Sequence, residues 1–146
     1  MDIPVSVYQR LSRIPNIAGV KEASNDITKI TRIKMACEPD FAVWSGNDDQ
    51  IVPAIASGCS GVISVLSNIY PEETQAMCDA ALRGDYTLAG TLQRQLMPLV
   101  DLLFCEVNPI PVKAAMKYIG FDCGGCRLPL TKLTKEHQAQ MERYFG

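Results

Sequence analysis

Three short apolar runs, Ile17 to Val20, Phe41 to Ser45 and Gly61 to Val65, alternate with segments whose apolar residues recur every three or four positions. A chain that alternates strand and helix in this way must pair its strands in parallel, through right-handed crossovers. The third run is apolar without interruption, the pattern of a strand buried on both faces. Three parallel strands nevertheless leave two open sheet edges. Closing an eight-stranded barrel takes about 250 residues, and the chain has 146. The predicted fold is α/β: the last three parallel strands of a partial TIM (β/α)8 barrel with their helices, followed by a carboxyl-terminal helical segment. Residues 1–70 are assigned to the barrel, and residues 71–146 to its last helix and the helical segment.

Residues 5–13, after Pro4, read as a weak helix with Val5, Tyr8 and Leu11 on one face. Ser24 or Asn25 can cap a helix carrying Ile27, Ile30 and Ile33. Asp48 and Asp49 fall in a first helical turn, where the dipole favours negative charge; an acid/base pair is the competing reading. Pro71-Glu72-Glu73 opens a helix that ends at Gly84. A longer one follows Asp85 and carries Leu88, Leu92, Leu96, Leu99 and Leu103, with Pro98 inside it. Asn108-Pro109 opens the next, with Val112, Ala115, Met116 and Ile119 predicted inward and Gly120 as the stop. Thr134 caps a last helix to Tyr144.

Composition excludes some functions. With 21% charged residues and a net charge of −2, the chain has no basic stripe for nucleic acid. It has no apolar run of about 18 residues to span a membrane. No signal peptide is visible at Met1-Asp2-Ile3-Pro4, so the cytoplasm is the expected compartment. Four of the six cysteines (Cys37, Cys59, Cys78, Cys105) fall in apolar periodic segments, where a thiol packs as a small hydrophobe. Cys123-Gly124-Gly125-Cys126 is a C-x-x-C pair, but it follows a helix, and the only histidine, His137, lies at no ligand spacing from it. It is read as a structural loop, with no metal expected.

Lys21 ends the first apolar run. A lysine after a strand is ordinarily a solvated loop residue. At the carboxyl end of a barrel strand, however, a neutral primary amine can form a Schiff base with a carbonyl substrate. Its neighbour Glu22 points to the opposite face of the strand and is left out of the candidate site.

Five segments occur in order: Gly19-Val20-Lys21-Glu22-Ala23-Ser24, Ser45-Gly46-Asn47-Asp48-Asp49, Gly61-Val62-Ile63-Ser64-Val65, Asn108-Pro109-Ile110-Pro111-Val112-Lys113 and Arg127-Leu128-Pro129-Leu130. Together they closely resemble the carboxyl-terminal half of the dihydrodipicolinate synthase family. The third and fourth favour it over the N-acetylneuraminate lyases, which share its fold and lysine. The resemblance implies a lyase of lysine and diaminopimelate biosynthesis. In it Lys21 condenses with pyruvate, and the enamine so formed attacks aspartate semialdehyde. It further implies that the main-chain oxygens of Ile63 and Gly46 lie near bound pyruvate, that no cofactor is needed, and that the parent is a homotetramer. The Ile63 side chain is expected to pack in the core. The family's relay tyrosine, threonine pair and substrate-binding arginine belong to the other half; Tyr8, Arg10 and Arg13 do not match them. A non-catalytic, self-associating truncated half-barrel and a related pyruvate-dependent aldolase remain as alternatives.

Overall fold

A computed structural model describes residues 2–146. The chain divides into two units. One comprises the residues up to Ser64 together with Ala76–Gln93, and the other comprises Val65–Gln75 and Arg94–Gly146.

The first unit holds the sheet. Helix α1 (Val5–Leu11) precedes β1 (Gly19–Glu22), α2 (Ile27–Ala36), β2 (Ala42–Ser45), a 3-10 turn (Asp48–Gln50), α3 (Ile51–Ala56) and β3 (Gly61–Val62). The strands are parallel in the order β1-β2-β3, with Lys21 level with Trp44, and Trp44 level with Gly61. β1 starts two residues later than the apolar run suggests, because Ile17 is held in a turn by its N–H bond to the Ile14 carbonyl. Phe41 is likewise drawn into a turn by Glu38 and anchors the core instead of pairing in β2. β3 is shorter than the predicted Gly61–Val65, since Val65 already has helical dihedrals and leads into a 3-10 turn at Leu66–Asn68. Helix α1 stops at Leu11, short of the predicted residue 13.

The two faces of the sheet differ. Val43, Glu22 and Ser45 are buried among α2 and α3 with Ile33, Ile51 and Ile55. Ile63 is 46% exposed, contrary to the expectation that its side chain packs and that the third strand is covered on both faces. A period of two assigns residues to faces, but whether the second face is covered depends on what lies against it. On that face Trp44 spreads toward both neighbouring strands. A Cβ on Gly19 would sit 2.8 Å from the indole Cζ3 and 2.2 Å from the Ala42 carbonyl oxygen, so no side chain fits there. Burial pushes the thiols of Cys59 and Cys78 up to about 11, which leaves them weak nucleophiles.

Helices α4 (Pro71–Leu82) and α5 (Tyr86–Leu103) match the predicted segments, with Pro98 inside α5. The Asp85 carboxylate accepts from the Leu88 N–H as the cap, but Leu88 itself is 45% exposed rather than inward. In the second unit α6 (Ile110–Tyr118) buries Val112 and Ala115, while Ile119 lies past its end and is exposed. Helix α7 (Lys135–Phe145) is capped by Thr134, whose hydroxyl accepts from the His137 N–H. Tyr118 stacks on Phe145 with ring centroids 5.2 Å apart.

One carboxylate ties the start of α7. Glu106 accepts from His137 Nδ1 at 2.6 Å, the Thr134 hydroxyl at 2.7 Å and the Thr134 N–H at 3.0 Å. The hydrogen bond from His137, then those from Thr134, hold its carboxyl down to about 2. A depressed carboxylate stabilises the fold fully above its unfolded value and loses that contribution as pH falls through the folded value. Acid titration followed at the His137 and Thr134 resonances should therefore show the start of α7 loosening between about 4.5 and about 2. Glu106→Gln should remove that pH dependence. An unchanged acid limb in the variant would contradict this assignment.

Candidate functional site

The sequence puts Lys21 at the end of the first strand, Gly46 after the second and Ile63 within the third, the last two through the family resemblance; the sheet register brings all three to one end of adjacent strands. The Gly46 N–H donates to the Glu22 carbonyl at 2.7 Å, and the Ile63 N–H donates to the Ser45 carbonyl at 2.8 Å. Gly46 therefore directly follows β2 beside the end of β1, and Ile63 directly follows β3 beside the end of β2. The Lys21 side chain runs across Gly46: a Cβ there would lie 2.8 Å from Lys21 Cε and 2.5 Å from the Ala23 Cβ. Any larger residue at this position must displace the lysine. Lys21 is exposed and Glu22 is buried, as the strand alternation requires.

Behind the lysine, on the other face, lies a charged network. Glu22 is 5% exposed and Lys29 6% exposed, and their charges meet at 3.1 Å. Glu22 also accepts from the Ser24 N–H at 2.7 Å and faces the Tyr8 hydroxyl at 3.5 Å. Lys29 reaches Asp2 as well, and its ammonium lies 5.5 Å from the centre of the Tyr8 ring. Burial alone would raise the Glu22 carboxyl, but hydrogen bonds from Ser24 and Lys29 outweigh it and hold it below the ordinary range. For Lys29, burial would lower the amine, and bonds to Asp2 and Glu22 raise it. Lys21, Glu22, Tyr8 and Lys29 share the walls of a cavity of about 610 Å³.

Lys29 escaped the sequence reading, although a signal was present. It stands four residues before Ile33 and so shares its helix face, where a lysine needs a buried counter-charge. Glu22, left outside the candidate site, supplies it. Removing one member of such a pair strands the other charge. Glu22→Ala should accordingly lower stability by about 3 kcal/mol, measured by urea denaturation, with Glu22→Gln intermediate. A change within error of zero would mean that the pair is solvated in solution.

Asp48 and Asp49 occupy the 3-10 turn before α3, with Asp48 fully buried. The Asp48 carbonyl accepts from Gln93 Nε2 at 2.8 Å, and Gln93 Oε1 accepts from the Val52 N–H at 3.3 Å. The turn is thus tied down by backbone and amide bonds. Among the described residues no group of three or more histidine, cysteine or carboxylate side chains is arranged to hold a metal. No helix among them is long and apolar enough to cross a membrane.

Residues 1–145 match the Dihydrodipicolinate synthetase family. The chain is 46% identical over 143 residues to 4-hydroxy-tetrahydrodipicolinate synthase of Caldicellulosiruptor saccharolyticus, a match covering 98% of this chain and 48% of that protein. It superposes on the crystal structure of a dihydrodipicolinate synthase from Bacillus anthracis with a TM-score of 0.92 and 37% identity, over 99% of this chain and 50% of that one. A monomeric dihydrodipicolinate synthase variant gives a TM-score of 0.90 and 34% identity, over 98% and 49%. Oligomeric state therefore varies among such proteins. The chain spans about half the length of the relatives it matches, and its three parallel strands with their helices correspond to part of a TIM barrel.

Proposed function

Because the chain belongs to the dihydrodipicolinate synthetase family, we propose that it supplies the Schiff-base half of a synthase condensing pyruvate with aspartate semialdehyde. The observation that carries the reading is Lys21 itself, a primary amine at the carboxyl end of a barrel strand, laid over a glycine that leaves room for it. The neutral amine adds to the keto carbon of pyruvate, water leaves, and a protonated imine forms. That cation withdraws electrons, so a methyl proton departs and an enamine results. The enamine carbon attacks the aldehyde carbon of the second substrate. Cyclisation through the substrate's own amine then displaces Lys21 and restores the free lysine.

Gly46 and Ile63 contribute through their main chains. Their carbonyl oxygens are assigned to the neighbourhood of bound pyruvate, and the absence of a side chain at Gly46 keeps that approach open. The Glu22–Lys29 network lies on the opposite face and fixes the end of β1, so that Lys21 leaves the strand in one direction.

The adduct is the direct test. A complete barrel containing this sequence is incubated with pyruvate, reduced with borohydride and digested, and the modified peptide is sequenced by mass spectrometry. The expected label is on Lys21. A label on Lys113 or Lys117 with Lys21 unmodified would move the chemistry elsewhere.

A further inference from the structure

We propose that the cavity formed by α6, the 121–133 connection and the start of α7 binds a small organic anion, an apolar body carrying one carboxylate or phosphate head. The inference uses none of the residues assigned to the Lys21 chemistry and stands without that reading. The Cys123-Gly124-Gly125-Cys126 loop is more than a connection. In the structure Gly124, Gly125 and Cys126 form part of a cavity wall.

The cavity measures about 680 Å³, within the range of about 300–1,000 Å³ typical of small-molecule sites. Its charged lining is of one sign: Lys113, Lys117 and Lys132 line it, and no aspartate or glutamate does. The Lys113 ammonium donates to the Gly125 carbonyl at 2.6 Å. That acceptor is neutral, so two ammonium protons remain to be donated. The one carboxylate nearby, Asp122, is held down by the Gly124 N–H and by the charges of Lys117 and Lys113, which leaves the lysines in excess. Lys117 is paired only at 3.5 Å with Asp122, and both side chains are more than half exposed. Tyr118 accepts from Gln138 Nε2 at 2.7 Å, which leaves its own hydroxyl proton free to donate.

The loop itself admits a ligand. A side chain at Gly124 or Gly125 would meet no atom within 4 Å, while the Gly124 N–H donates to the Asp122 carboxylate at 2.9 Å. Ile110, Leu130 and Leu133 supply an apolar wall. Ammonium groups beside exposed backbone favour an anionic head, and the aliphatic wall favours a carbon body rather than a bare ion. A nucleic acid would require a basic stripe that a chain of net charge −2 lacks.

Cys126 is half-buried in the wall and reports occupancy. The 146-residue chain is treated with iodoacetamide, and alkylation of each cysteine is followed by mass spectrometry, with Cys37 as the internal reference. Benzoate and phenyl phosphate are the probes, at constant ionic strength; inorganic phosphate and benzyl alcohol each present only one feature of the ligand. Benzoate, phenyl phosphate or both should slow Cys126 alone and saturably, with half-protection near about 1 mM for a ligand of this size, and the pair identifies the preferred head. Lys132→Met should weaken protection about tenfold, the loss of one charge-assisted contact. Gly125→Leu, which places a side chain in open space, should abolish it while the circular dichroism spectrum is kept. The proposal is overturned if neither probe protects Cys126, if both features presented alone protect it equally well, if Cys37 is slowed in parallel, or if both variants are protected like the parent.

Discussion

Lys21→Arg in a complete barrel should lower kcat/KM for the condensation by at least about four orders of magnitude and leave no borohydride-trapped pyruvate adduct. Arginine keeps the positive charge and most of the length, but its guanidinium stays protonated and is no nucleophile toward a carbonyl. The substitution therefore separates two roles. If Lys21 only attracted an anionic substrate, arginine would serve nearly as well. If it forms the covalent bond, every later step is lost, because no imine exists to withdraw electrons from the methyl group. Position on an exposed strand end makes the change tolerable to the fold, so thermal stability should hardly move. Turnover within tenfold of the parent would refute the covalent role.

The 146-residue chain on its own should turn over pyruvate and aspartate semialdehyde at least about four orders of magnitude more slowly than a complete synthase. The chain spans about half of its relatives, and the resemblance assigns the proton relay and the carboxylate-binding threonines to the remainder. On that assignment the isolated chain offers Lys21 without a proton path or a clamp for the substrate, and losses of that kind multiply. The sheet explains the accompanying behaviour. β1 and β3 are its edges, and unpaired parallel edges beside an open apolar face recruit other chains. Sedimentation of the isolated chain should show concentration-dependent association. A monodisperse monomer with full activity would overturn both parts of this expectation, and an active oligomer would mean that copies rebuild a site together.

The position of Lys21 was legible because it depends on local rules. Strand alternation alone separates Lys21 from Glu22, whereas the main-chain roles proposed for Gly46 and Ile63 enter only through the family resemblance. The strand order follows from crossover geometry. What escaped was set by distant residues. Lys29 carries a helical-face signal, but its partner lies in another element. The exposure of Ile63 depends on what lies against the second face of the sheet. The cavity at Cys126 depends on the path of the 121–133 connection, which has no periodicity from which a path could be read. Strand ends shifted by one or two residues at Ile17 and Phe41, where short turns competed with pairing.

Trp44 is the only tryptophan in the chain. It stands half-buried on the middle strand, level with Lys21 and Gly61, with its ring reaching over Gly19. The fold thus carries its single indole fluorophore on the face where the proposed chemistry takes place. Whatever comes to cover that face, whether the rest of a barrel or a second chain, must exclude water from the indole and move its emission to shorter wavelength. Completion of the reaction chamber can in this way be followed by its own light, without substrate and without a label.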